Sequence, residues 1–103
     1  MLQKTKAHQL ILPASCQDQE ITSIKFEPSQ ALQVAVGTAK GKVLLYDMRY
    51  PVPIYTLMHH YKMPIQTIQF HTASKKIITC DKKIIKIYNH VDGSLFTNIE
   101  PKS

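Results

Sequence analysis

The sequence is poor in the residues that build disulfide frameworks, phosphate loops and membrane anchors. Its 103 residues include two cysteines and three glycines. Cys16 and Cys80 stand 64 positions apart with no second cysteine near either, which excludes a disulfide framework and a CxxC metal knuckle and leaves two separate, partly buried thiols of a reducing compartment. No apolar run approaches the roughly 18 residues of a membrane span. Near the N-terminus the run Leu10-Ile11-Leu12 is too short for a signal-peptide core of about 7–15 residues, so an intracellular chain is expected. Acidic residues are scarce too: seven against 13 Lys and Arg, a formal charge of +6. That excess is scattered along the chain and by itself favours acidic partners only weakly.

What is present is a period of two. Ile21-Thr22-Ser23-Ile24-Lys25-Phe26, Lys42-Val43-Leu44-Leu45-Tyr46, Ile65-Gln66-Thr67-Ile68-Gln69-Phe70 and Ile84-Ile85-Lys86-Ile87-Tyr88 all read as strands. Their β-branched and aromatic residues suit a pleated, half-buried surface. Turn signals separate them, including Glu27-Pro28-Ser29, Gly37 to Gly41, Pro51-Val52-Pro53, Cys80 to Lys83 and Val91 to Ser94. No window longer than about ten residues carries a helical stripe, so the chain is expected to be all-β.

The chain also repeats itself. Ile21 to Phe26 returns 44 positions later as Ile65 to Phe70, and Val43-Leu44-Leu45-Tyr46-Asp47 returns 42 positions later as Ile85-Lys86-Ile87-Tyr88-Asn89. Ile54 to Leu57 has its approximate counterpart in Leu95 to Asn98. Each copy holds four short strands in about 44 residues, the size of one propeller blade. A four-stranded blade is apolar on both faces and needs neighbours in a closed ring of typically four to eight. Two blades cannot close a ring. The chain is therefore expected to be a fragment or a truncated product, or to act within a larger assembly, with outer faces prone to association.

The copies resemble WD-repeat blades. The third strand of such a blade usually ends in Trp-Asp, and here the equivalents are Tyr46-Asp47 and Tyr88-Asn89, which keep the packing anchor and lose the indole donor. A typical blade pairs a histidine ahead of its first strand with an aspartate after its second. The resemblance implies that His59 or His60 pairs with Asp81 in the second copy; the first copy has neither partner. The implied partial propeller has two four-stranded antiparallel blades, residues 21–60 and 61–101. A linker or remnant of a preceding blade would precede them at 1–20 and a tail follow at 102–103, with Tyr46, Asp47, Asp81 and Tyr88 as blade anchors. Ile24, Phe26, Val34, Val36, Leu44, Ile68, Phe70, Ile78, Ile85 and Ile87 join Tyr46 and Tyr88 as expected blade-packing residues.

A finer likeness covers residues 21–101. The run from Val34 to Arg49, AVGT-x-x-G-x-VLLYD-x-R in outline, is similar to the corresponding blade of the nucleolar protein ten / essential nuclear protein two family. The histidine-containing link to Pro64-Ile65, then Ile84 to Asn89 and Phe96 to Pro101, extends it. The resemblance implies a non-enzymatic scaffold of the nucleus and nucleolus, acting in small-subunit processome assembly and ribosomal RNA processing. Its implied partners are pre-ribosomal proteins and pre-ribosomal RNA. No cofactor, membrane or small-molecule substrate is implied.

The residues themselves offer little chemistry. His8, His59, His60, His71 and His90 form no spaced ligand set, since the adjacent His59 and His60 would face opposite sides of a strand. No G-x-S-x-G elbow is present and neither cysteine has a nucleophile context. Gly37-Thr38-Ala39-Lys40-Gly41-Lys42 lacks the spacing of a phosphate loop and precedes a strand, so it reads as a hairpin turn. The lysines are more informative. Lys40, Lys42, Lys82 and Lys83 flank equivalent turns and would share one propeller rim, where they could meet RNA phosphates or simply keep the turns solvated; Lys75-Lys76 would lie on the opposite rim. Tyr46-Asp47-Met48-Arg49 also resembles the W-D-x-R ending in substrate receptors of cullin ubiquitin ligases, which implies adaptor docking as an alternative function.

Overall fold

The alternating strands assemble into two four-stranded antiparallel sheets. The computed structural model describes residues 10–17, 19–29 and 32–100. His8, the rest of 1–9 and the expected tail at 102–103 lie outside the described residues. The first sheet runs β1 (Ile21–Phe26), β2 (Gln33–Thr38), β3 (Lys42–Asp47) and β4 (Tyr55–Met58) in that spatial order. The second runs β5 (Thr67–His71), β6 (Lys76–Cys80), β7 (Ile85–Asn89) and β8 (Leu95–Ile99). Every strand pairs with its sequence neighbour, as short hairpin connections require. The all-β, two-blade expectation is therefore met. Strand β5 begins two residues later than the hydrophobic pattern suggests, because Ile65 and Gln66 belong to the link between blades.

Period-two geometry assigns alternate residues of each strand to opposite faces. In the first blade Ala35, Val43, Leu45 and Leu57 point towards the second, and meet Ile68, Phe70, Ile77 and Tyr88 in one buried cluster. Ile65 is fully buried in that seam, where its carbonyl accepts the Thr22 hydroxyl at 2.7 Å and its N–H donates to the Thr38 carbonyl at 3.1 Å. The end of β2 approaches this link closely: a Cβ on Gly37 would stand 2.7 Å from Ile65 Cβ, so only glycine admits the contact. Tyr88 ties the blades again by donating its hydroxyl to the Met58 carbonyl at 3.1 Å.

The opposite face of the first blade carries Val34, Val36, Leu44 and Tyr46. It is covered by the stretch ahead of β1, where Leu10, Leu12 and Cys16 pack on it and Ala14–Cys16 forms a single 3-10 turn. Ile24 and Phe26 stand in register with Val36 and Val34 on that same face, yet they are 57% and 51% exposed. They lie on the face that two lone blades are expected to leave exposed, so no blade of this chain packs on them. The covering stretch reaches the β2–β3 half of the face and stops short of β1. Ile78, Ile85 and Ile87 are only half-buried, for the related reason that the outer face of the second blade has no neighbour among the described residues.

Candidate interaction rim

Propeller topology sorts the loops into two rims. One rim carries the β2–β3 and β6–β7 turns, the β4–β5 link and the approach to β1; the other carries the β1–β2, β3–β4, β5–β6 and β7–β8 loops. Sorting the described charges this way shows an asymmetry. The first rim holds Lys40, Lys42, Lys62, Lys82 and Lys83 against Glu20, Glu100 and the buried Asp81. The second holds Arg49, Lys75 and Lys76 against Glu27, Asp47 and Asp92, an even balance. The basic excess is thus concentrated on one edge, where a field of one sign attracts anions.

A buried polar network shapes the basic rim. His59 has no exposed side-chain surface, and its Nδ1 lies 2.9 Å from Asp81 Oδ2 while its Nε2 lies 2.7 Å from the Thr79 hydroxyl. Asp81 Oδ1 accepts the backbone N–H groups of Lys83 at 2.7 Å and Ile84 at 2.8 Å, closing the β6–β7 turn. Of the two histidines the WD resemblance implied, His59 is therefore the partner of Asp81, and His60 is exposed. Thr38 serves the first blade's turn in a similar way, its hydroxyl accepting the Lys42 N–H at 3.1 Å.

Electrostatics fix the protonation of this network. Burial pulls the His59 pKa down, and this outweighs the opposite pull of the Asp81 carboxylate, so the ring is neutral. Burial pushes Asp81 up, but the Lys83 N–H, His59 and the Ile84 N–H together hold it below the usual carboxylate range. A neutral His59 donates from Nδ1 to the Asp81 carboxylate, while its Nε2 lies beside the Thr79 hydroxyl, which also reaches the Lys86 carbonyl at 3.1 Å. The pH dependence follows in sign. The unfolded chain takes up a proton at its histidine near 6.5 while the fold resists, so stability falls as pH drops from about 7, by up to about 1.4 kcal/mol per pH unit. Tyr46 and Tyr88, raised chiefly by burial, are kept neutral by the fold, and stability falls again above pH 10. Thermal melts across pH 5–8 should show the acid limb, and His59→Gln should flatten it; an unchanged limb would refute the assignment.

The link that His59 anchors presses against the β2–β3 turn. His59 N–H donates to the Gly41 carbonyl at 2.8 Å. Gly41 adopts φ +85°, and a Cβ there would meet the Lys62 Cα at 3.0 Å, so glycine both permits the turn and lets the link approach. Between turn and link lies a cavity of about 190 Å³ lined by Lys40, Lys42 and Lys62 with Gln19, Met58 and His59. The structure thus brings Lys40 and Lys42 together and adds Lys62, which the repeat pattern did not single out because it lies outside the paired turns. Lys82 and Lys83 are exposed beside Asp81 and do not line this cavity; Lys83 Nζ sits 5.2 Å from the centre of the Tyr61 ring.

On the opposite rim Asp47 is engaged by its own turn. Arg49 grips it with Nε at 2.9 Å and Nη2 at 2.5 Å, and its backbone N–H adds a third bond at 3.0 Å. The Arg49 side-chain bond, then its backbone bond, lower the Asp47 pKa to about 2. A cavity of about 280 Å³ sits nearby, with Arg49 and Lys75 facing Glu27 and Asp47 across mixed charge. Tyr46 and Tyr88 are buried, at 1% and 6% exposure. Among the described residues no group of three or more His, Cys, Asp or Glu is placed to hold a metal ion, and no helix is long and apolar enough to cross a membrane.

Comparison with known proteins places these features in a lineage. The family model described as "Nucleolar protein 10-like, N-terminal domain" matches residues 2–103. "Nucleolar protein 10" of Xenopus laevis is 43% identical over 83 residues, covering 81% of this chain and 12% of that protein. "Ribosome biogenesis protein ENP2" of Chaetomium thermophilum is 34% identical over 89 residues, covering 82% of this chain and 13% of that protein. The chain therefore spans about an eighth of the length of the curated relatives it matches. Among solved structures, the Cps50 (Swd1) β-propeller domain of Myceliophteria thermophila superposes with a TM-score of 0.68 at 15% identity, over 82% of this chain and 28% of that one. That likeness shows the fold: two propeller blades.

Proposed function

Since the chain belongs to the family of Nucleolar protein 10-like N-terminal domains, we propose that it is a non-enzymatic scaffold element of ribosome biogenesis, working in the nucleolus on the small-subunit processome and ribosomal RNA processing. The observation that carries this reading is the family match across 2–103 on a two-blade fold whose rims are held by backbone and side-chain bonds. Such a unit acts by surface contact. Its partners are pre-ribosomal proteins, with pre-ribosomal RNA meeting the rim of Lys40, Lys42, Lys82 and Lys83 through its phosphates. Asp47 and Arg49 satisfy each other within one turn, which favours the scaffold reading over adaptor docking by that arginine. The full chain, tagged and expressed in cells, should sediment with small-subunit precursors and copurify their RNA. Recovery of a ubiquitin-ligase adaptor in their place would refute the proposal.

A further inference from the structure

We infer that the cavity ringed by Lys40, Lys42 and Lys62 is a preformed site for a backbone phosphate of RNA, with Lys62 as the residue that completes it. This inference rests on the ribosome-biogenesis reading and gives it an address. Lys40, Lys42 and Lys62 line one cavity, with Lys42 Nζ 3.4 Å from the Ser15 hydroxyl, and their like charges repel one another with no carboxylate among the described residues of the lining to offset them. An anion relieves that repulsion. The cluster is also held in place. Gly41 brings turn and link into contact, the His59 N–H bonds the Gly41 carbonyl, and the Lys62 N–H bonds the His59 carbonyl at 3.3 Å. Lys62 itself stands at φ +58°, a left-handed conformation that non-glycine residues adopt at a cost.

The chemistry of the ring suits phosphate. Planar, two-point recognition of a carboxylate calls for a guanidinium, whereas lysine serves phosphate as a point charge. The chain's one arginine, Arg49, is on the opposite rim and bound to Asp47. A cavity of about 190 Å³ has room for a phosphodiester group. The opposite-rim cavity is larger, but its mixed charges offer an anion no such gain.

The test is fluorescence anisotropy of a labelled oligouridylate with the full chain, as wild type and as two charge-matched triple variants. Removing the ring, with Lys40→Ala, Lys42→Ala and Lys62→Ala, should weaken binding at least tenfold. It should also flatten the slope of log affinity on log salt by about 0.7 for each phosphate that is no longer neutralised. Removing Lys25, Lys75 and Lys76 instead should leave affinity within twofold, and Lys62→Ala alone should account for a threefold loss or more. Thermal melts of each variant check that the substitutions leave the fold intact. Equal weakening by both triples, no RNA binding by the wild type, or equal binding of a polyglutamate peptide would each overturn the site. Sedimentation of the ring variant with small-subunit precursors is scored separately. A variant that binds RNA normally while the wild type still joins those particles sinks the cavity and spares the scaffold; a wild type that joins none sinks the scaffold reading.

Discussion

Replacing Asp81 with alanine is expected to cost about 3 kcal/mol or more, because it orphans the buried hydrogen-bond donors that converge on the carboxylate. The carboxylate receives three donors at once: the Lys83 and Ile84 N–H groups at 2.7 and 2.8 Å, and His59 Nδ1 at 2.9 Å. Alanine leaves all three without an acceptor in a site that is 3% exposed, and each orphaned donor costs about 1–3 kcal/mol before the turn relaxes towards water. Against a total stability of about 5–15 kcal/mol, much of the folded population is lost. Urea denaturation should show the midpoint collapse, while Asp81→Asn, which keeps an acceptor for the turn, should fall between. A loss under about 1 kcal/mol for alanine would remove the network from any role in stability. Because His59 anchors the link that carries Lys62, Asp81→Ala should also weaken the lysine cavity that depends on that link.

Tyr46→Ala should cost about 3–5 kcal/mol by a different route, the emptying of a large aromatic site in a packed face. Tyr46 is 1% exposed on β3 among Val34, Val36 and Leu44, and it meets Cys16, Leu10 and Leu12 from the covering stretch. Its hydroxyl donates to the Ile11 carbonyl at 2.8 Å, while Ile11 N–H donates to the Pro51 carbonyl at 2.6 Å. The ring is thus the contact through which the stretch ahead of β1 grips the first blade. Tyr46→Phe keeps the ring and removes one hydrogen bond, and should cost only about 1 kcal/mol. Hydrogen exchange in the alanine variant should rise first in residues 10–17. If phenylalanine proved as damaging as alanine, the bond to Ile11 and not the packing would hold the face together.

These two sites differ in how far they could be read before any coordinates. The Asp81 turn announces itself, since an aspartate followed by two lysines between apolar alternations is a turn with a mechanism. The WD likeness named a histidine for it but left His59 and His60 equal. Adjacent residues on an extended chain face opposite ways, and which way is inward depends on a sheet about 20 residues further on. Tyr46 was legible as an anchor because it recurs as Tyr88 at the same place in the repeat. Ile24 and Phe26 lie on the same face as Tyr46 but are exposed. Their spacing marks an apolar face correctly, but spacing cannot say whether another segment covers that face. Lys62 left no trace in the pattern at all. It matters through its approach to Gly41, 21 positions earlier, and proximity of that kind is written in the packing of the link rather than in any period.

The sequence by itself determined the strands, the repeat, the two-blade architecture and the family. Each of these depends on local rules: alternation follows from the pleat, turns from glycine, proline and aspartate, and the blade from four strands joined by short loops. Only the tertiary structure decided which histidine meets Asp81, which half of the outer face is covered, and that three lysines from a turn and a link surround one cavity. The scarcity of acid with which the sequence began becomes specific only there. Among the described residues, topology gathers five lysines on one rim and balances the charges of the other, because neighbours along the chain share a strand while neighbours on a rim share an end of the sheet.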